Sequence, residues 1–325
     1  MKIIVKNIIY LLFYGLIISC NSDNNIPSVK NKYQDLVKIF QDFRAIQKPS
    51  ITDGIPDYSP KAMAHQKASL DNLQAQLALI DTAGWSVSDR VEYHLVKAEM
   101  HGLEFYHMVL KPWSRDPGFY LQTQDGAGPT RAAYFYIDEF PIKDEELTEA
   151  RIKLIALPEV LSQAKKNLTD GAGDLAYSAL HYLHYEIILY ERIYKKIKEH
   201  HPELESIAAK ALEAVKEYDS WLKENKSKMT AQAGVGKDNY NWWMKNVQLI
   251  PYTWDELYDI IMREDDRLLT MVALERNRNR DLPELKPVSS REEHAQQKIE
   301  ALKHVMNFTE AESLFAIPEW IGFEE

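Results

Sequence analysis

The sequence predicts an all-α protein, a multi-helix bundle with one long ordered loop at about 111–141. Three observations carry this. Apolar residues recur at spacings of three and four along nearly every segment after residue 28. The breaks in that period fall on proline, glycine or capping residues, where helices end. No internal repeat of 20 to 50 residues is present, which argues against a solenoid array.

The chain opens on a segment outside this bundle. Lys2 and Lys6 precede an apolar, uncharged run from Ile8 to Ile18, and Ser19 stands before Cys20, the single cysteine of the 325 residues. A basic start, a short apolar stretch and a small residue at the cleavage point are the physical parts of an export signal. With the cysteine directly after them they resemble a bacterial lipobox. Residues 1–19 therefore read as a lipoprotein signal peptide and Cys20 as the lipidation site. The alternatives are an ordinary secretory signal with Cys20 incidental, or a spanning helix. For the latter the uncharged stretch from Asn7 to Ser19 is short of the roughly 20 residues required. Residues 20–27 are polar and read as a tether, and Ser22-Asp23 resembles the acidic signals that send some lipoproteins to the cell surface. The expected address is the bacterial cell envelope, at the outer membrane, with attachment through lipid at Cys20. One acyl chain holds weakly, so a stable anchor needs multiple acylation. A lone cysteine permits no internal disulfide, so stability must come from the core.

Residues 28–325 are expected to form a single helical domain. Val29, Tyr33, Leu36, Val37, Phe40 and Phe43 make the first buried stripe, broken by a linker around Gly54-Ile55-Pro56. Ser59 then stands as N-cap with Pro60 at the first helical position, and Met63, Leu70, Leu73 and Leu77 follow. After Gly84, Ser88 caps a run through Val91, Leu95, Ala98 and Phe105. Periodicity fails between Lys111 and Pro141, where prolines and glycines mix with Trp113, Phe119, Tyr120, Tyr134, Phe135 and Tyr136. So many aromatics argue for a packed loop, and long loops in compact domains tend to be functional. Helices are expected to resume at 144–157, 158–168, 174–199, 202–225, 238–248, 253–278 and 289–306. Their ends are marked by Asp170-Gly171, His201-Pro202, Gly234 and Gly236, Pro251, Pro283, Pro287, and Thr309 ahead of Glu312.

A formal charge of −10 gives no electrostatic reason to bind nucleic acid, whose affinity depends on neutralising phosphates. Gly234-Val235-Gly236-Lys237 ends like a phosphate-binding loop, but Ala231 and Asp238 stand where a glycine and a hydroxyl are needed. There is no Gly-x-Ser-x-Gly elbow, no H-E-x-x-H and no H-x-x-E-H. No catalytic or cofactor-binding residue is thus assigned. At 100° per residue Tyr177, His181, His184, Ile188 and Glu191 share one helix stripe, which makes His181, His184 and Glu191 weak metal candidates, with packing the favoured role. Tyr240, Trp242 and Trp243, with Trp254 and Tyr258, form an aromatic cluster able to line a ligand cleft or, more simply, an interhelical core. His200-His201 reads as a helix C-terminal cap, and Arg276, Arg278 and Arg280 complement a helix dipole.

Read together, the stretches Lys111–Tyr120, Leu157–Thr169, Gly236–Asn246, Pro251–Glu256 and Leu274–Pro283 resemble the bacterial domain-of-unknown-function 885 family, in order and spacing across nearly the whole chain after Cys20. The resemblance implies a largely helical protein similar to zinc metallopeptidases, whose H-E-x-x-H helix lies C-terminal to the matched region. In that motif two histidines hold zinc and the glutamate activates water. This sequence lacks the motif, so the resemblance supplies a fold and a family but no catalytic residue, and zinc is expected only with a C-terminal catalytic half. Residues 315–323, with Phe315, Ile317, Trp320, Ile321 and Phe323, are dense enough in apolar side chains to dock such a segment. The leading expectation is the N-terminal, substrate-side half of a peptidase-like lipoprotein that takes peptides but is not catalytic alone. The alternatives are a complete, non-catalytic helical binding lipoprotein and an independent metal-dependent hydrolase using the His181 stripe.

Overall fold

The computed structural model of the chain describes residues 33–121, 140–283 and 287–314. The signal peptide at 1–19, Cys20, the tether at 20–27, residues 122–139 of the long loop and the apolar stretch at 315–323 lie outside the described residues. Those described are dominated by α-helix, as the periodicity predicts, and the sheet among them is a single two-stranded hairpin. None of their helices is long and apolar enough to cross a membrane. The chain divides into two compact units, residues 1–257 and residues 258–325.

In the first unit, helix α1 (Tyr33–Ile46) turns Leu36, Ile39 and Phe43 inward on the expected stripe. A hairpin that the helical period does not announce comes next in the chain. Strand β1 (Ile51–Thr52) pairs antiparallel with β2 (Ile55–Pro56). The connecting Asp53 and Gly54 have φ of 51° and 80°, both positive as a type I′ turn requires, and Asp-Gly is a preferred pair for it. Gly54 has a second reason to be glycine: a Cβ there would lie 2.5 Å from the Ile152 side chain.

Helix α2 (Pro60–Ala78) starts as expected, with the Ser59 hydroxyl accepting from the Ala62 N–H at 3.3 Å and Pro60 in the first turn. Helix α3 (Val87–Phe105) is capped by Ser86, not Ser88. Ser86 holds the extended backbone a cap needs, and its hydroxyl accepts from the Asp89 N–H. Leu36, Phe43, Leu70, Leu77, Met100 and Leu103 join α1, α2 and α3 in one core cluster.

The expected long loop is structured at its start. Helix α3 widens into a π-helical turn at Tyr106–Leu110 that closes on Lys111 at φ 42°. Pro112 begins the short helix α4 (Pro112–Arg115), and Pro117–Tyr120 form a 3-10 turn. Trp113, Phe119, Tyr120 and Leu121 are all buried, so this stretch is packed, in keeping with its aromatics. Arg115 ties it to two distant segments. One guanidinium nitrogen donates to the Val109 carbonyl at 2.8 Å, the other to the Gln232 carbonyl, and Nε lies 3.8 Å from the Asp170 carboxylate. Backbone bonds from Asp170 N–H to Ser114 O, Ala172 N–H to Arg115 O and Ala231 N–H to Gly171 O complete the junction.

Helix α5 (Asp144–Asn167) is continuous where two helices were expected, with Pro158 inside it. Proline removes one helical hydrogen bond. But Leu154, Leu157, Val160 and Leu161 are buried on both sides of it, and their packing holds one axis through the interruption. Helix α6 (Gly173–His200) and α7 (Glu205–Asn225) pair across small, fully buried residues, Ala176 and Ala179 on one and Ala208 and Ala211 on the other. His201 does more than cap: its Nε2 accepts from the Ile142 N–H at 2.8 Å, and the His200 ring stacks on Phe140. Helix α8 (Lys237–Asn246) completes this unit.

Helix α9 (Trp254–Arg278) begins in the first unit and continues into the second, and it has no buried residue. Helix α10 (Arg291–Ala311) is capped by Ser290, whose hydroxyl accepts from the Glu293 N–H at 3.1 Å. It runs through Thr309, expected to begin a new cap. The Thr309 hydroxyl instead donates back to the Val305 carbonyl at 2.7 Å, the alternative a mid-helix threonine has to capping.

Candidate functional site

The α6 stripe exists as the 100° spacing predicts, and it faces solvent: Tyr177, His181, His184, Ile188 and Glu191 are all exposed. The imidazoles pack edge-on against neighbouring rings, His181 at 5.6 Å from Tyr182 and 5.2 Å from Tyr185, His184 at 5.3 Å from Tyr185. Glu191 is held by Lys216 at 2.8 Å. Seven residues separate His184 from Glu191, about 10 Å along a helix axis, too far to share one ion. Among the described residues no group of three His, Cys, Asp or Glu side chains is placed to hold a metal. The stripe is a row of separate surface groups, and the metal candidacy of His181, His184 and Glu191 is not supported.

The opposite face of α6 holds what the periodicity alone does not single out. Ala176, Ala179, Leu183, Glu186, Tyr190, Ile193 and Ile197 are buried at alternating steps of three and four, and the charged member, Glu186, is 1% exposed. Burial pushes the Tyr190 hydroxyl well above its ordinary range, and Glu186 beside it raises it further. The signal was available: a carboxylate in core register.

The predicted aromatic cluster is brought together as a seam between α3 and α8. The Trp242 ring stacks on Phe105, with centroids 6.1 Å apart and planes 8° from parallel, and lies 5.4 Å from His101. Trp243 meets Phe105 at 6.5 Å and Tyr240 at 6.0 Å. Trp254 is covered by the Lys237 ammonium at 3.9 Å from its centroid, and its backbone N–H donates to the Asn241 side chain. Trp242 keeps 37% of its surface exposed, while Tyr240 and Trp243 are half-buried. The arrangement is mainly packing, with one open face.

A buried polar network fixes the corner around the 3-10 turn. Asn167 donates to the Tyr58 carbonyl at 3.0 Å and to the Tyr120 hydroxyl at 3.1 Å, and Tyr120 donates to the Trp113 carbonyl at 2.7 Å. Gln163 accepts from the Tyr58 N–H at 2.8 Å, and Tyr218 donates to the Pro117 carbonyl at 3.0 Å. Burial drives the hydroxyls of Tyr58, Tyr120 and Tyr218 far above their usual range. They remain neutral, and those of Tyr120 and Tyr218 serve as donors, so the network holds structure.

A second polar link supports a cleft. Gln66 donates to the carbonyls of Ile46 and Gln47 at 2.7 and 3.2 Å, and its oxygen meets His107 Nε2 at 2.8 Å. An amide oxygen only accepts, so His107 carries its proton on Nε2. Burial, helped by the nearby Lys67 and opposed by Asp71, lowers the His107 pKa to about 4. Gln66 also lines a cleft of about 460 Å³ between the end of α1, the hairpin and the first turns of α2.

The chain matches, over residues 44–285, the family described as bacterial protein of unknown function (DUF885). Among solved structures, a candidate lipoprotein of unknown function from Shewanella oneidensis is similar, with a TM-score of 0.58 at 14% sequence identity. The similarity covers 88% of this chain and 57% of that one, so the chain spans a little over half the length of the structure it resembles. At that identity the likeness concerns the fold. A search of curated proteins gives no match.

Proposed function

The chain belongs to the DUF885 family, and on that premise we propose that it is a lipid-anchored envelope protein supplying the N-terminal, substrate-side half of a zinc-metallopeptidase-like unit, without catalysis of its own. Helix α9 carries the proposal. Ile261, Met262, Leu268, Leu269, Met271, Val272 and Leu274 are all exposed along it. Helices in proteins owe most of their stability to packing an apolar face, and contiguous exposed apolar surface marks an interaction site. A C-terminal catalytic segment, docking also on residues 315–323, would cover such a surface, in keeping with the greater length of the similar structure. Zinc and its general base would come with that segment, since the described residues of this chain offer no fitting ligand set. The open face of the Tyr240, Trp242 and Trp243 seam favours a second reading, a non-catalytic helical binding lipoprotein.

Anchorage is proposed at Cys20, at the outer membrane and with the chain reaching the cell surface. Cys20→Ala is expected to abolish acylation and retain the N-terminal segment. Radiolabelled palmitate incorporated equally by both forms would remove the anchor.

The function is tested on the purified chain. It is expected to hold no stoichiometric zinc by elemental analysis and to cleave no member of a mixed peptide library. Leu268→Gln combined with Leu269→Gln should leave its melting temperature within about 2 °C, since neither side chain is buried. Zinc-dependent hydrolysis lost in His181→Ala would favour an independent hydrolase. A melting temperature lowered by about 6 °C or more in the double variant would show α9 already covered.

A further inference from the structure

We infer that the cleft between α1, the β-hairpin and α2 is a binding site for a small organic anion with an apolar body. Its volume, about 460 Å³, lies within the roughly 300–1,000 Å³ typical of small-ligand sites. Lys48, Lys61 and His65 line it, and among the described residues neither lysine is engaged in an ion pair. The other lysines of the two helices are paired: Lys38 of α1 with Asp42 at 2.7 Å, and Lys67, further along α2, with Asp71 at 2.5 Å. One carboxylate, Asp57, also lines the cleft and accepts from the Ser59 N–H at 2.8 Å, so the two ammonium groups there face a single negative charge. Lys61 and His65 stand four apart on α2 and so project from one side of it.

The chemistry beneath the cations is apolar. Pro49 and the buried Met63 line the same space, so a ligand can place a hydrocarbon body inward and its negative head among the ammonium groups. The walls are pre-set. Gln66 fastens the end of α1 to α2 through two carbonyls and is itself held by His107, which lowers the ordering cost of binding. The site lies wholly within the first unit and needs no segment from elsewhere, so its failure would leave the preceding proposal standing.

The test uses the full chain with N-acetyl-leucine as probe, its uncharged amide as control, and inorganic phosphate as an anion without an apolar body, all by calorimetry. N-acetyl-leucine is expected to saturate one site at millimolar concentration, with the amide and phosphate each at least about tenfold weaker, and with binding weakened by salt. Lys48→Gln with Lys61→Gln should weaken N-acetyl-leucine at least about tenfold, while Lys67→Gln leaves it unchanged. Circular dichroism checks that the double variant is folded; should it not be, Lys48→Gln alone takes its place. Equal binding of acid and amide, phosphate binding as tightly as N-acetyl-leucine, full affinity in the lysine variants, or no saturable binding of N-acetyl-leucine would each overturn the inference.

Discussion

Tyr218→Ala is expected to destabilise the first unit by about 4–6 kcal/mol, measured by urea denaturation. The side chain is fully buried on α7, its ring stacked on Trp221 at 5.8 Å, and truncating a buried aromatic costs about 3–5 kcal/mol. The hydroxyl adds a further loss, because the Pro117 carbonyl it serves at 3.0 Å is left in a buried turn without that donor. Tyr218→Phe separates the two contributions and should cost about 1–2 kcal/mol. Against the roughly 5–15 kcal/mol that holds an ordinary domain, the alanine variant approaches global unfolding, while the phenylalanine variant stays folded. A loss below about 2 kcal/mol in the alanine variant would mean that the 3-10 turn is held by other contacts.

The stability of the first unit is expected to rise with pH between about 4 and 6.5 through His107. Its folded pKa of about 4 lies below the ordinary histidine value near 6.5. Between these values the unfolded chain binds the extra proton and the folded chain does not, so folding is favoured as pH increases. The contribution is complete above pH 6.5 and is lost as pH falls through 6.5 toward 4. At about 1.4 kcal/mol per unit it amounts to something on the order of 3 kcal/mol. His107→Gln removes the titrating group, so the stability gap between wild type and variant should narrow by that amount from pH 7 to pH 4. Parallel stability curves for the two proteins would show that His107 accepts its proton freely in the fold.

Much of this architecture was legible because helices announce themselves by period and by caps. Ser59 and Pro60 place the start of α2 to the residue, and the stripe from Leu36 to Phe43 faces the core as its spacing requires. The expectations that failed share a cause: a local signal was outweighed by packing or hidden by its brevity. Pro158 reads as a break, yet buried leucines and a valine on either side carry α5 through it. Asp53-Gly54 is a strong turn signal, but strands of two residues leave no alternating pattern around it.

The candidate site was less legible, since it depends on which faces meet. The stripe of His181, His184 and Glu191 is periodic but turned outward, whereas Glu186, on the other face, is the buried carboxyl group. The Tyr240, Trp242 and Trp243 cluster was visible as composition, but its partner Phe105 lies more than a hundred residues earlier. Nothing in the neighbourhood of Lys48 or Lys61 in sequence shows that they border one cleft, because the hairpin that folds them together is itself cryptic.

The Arg115 junction also bears on the order in which the first unit can assemble. The pairing of α6 with α7 joins neighbours along the chain and closes a short loop, whereas α5 packs on α7 across the whole length of α6. Arg115 and Gln232 are separated by 117 residues, and loop-closure entropy grows only slowly with length, about 0.6 kcal/mol for each doubling. Contacts of such long range slow folding, so the junction is expected to gain hydrogen-exchange protection at Ala172 and Ala231 later than the amides inside α6 and α7 in a pulsed refolding experiment.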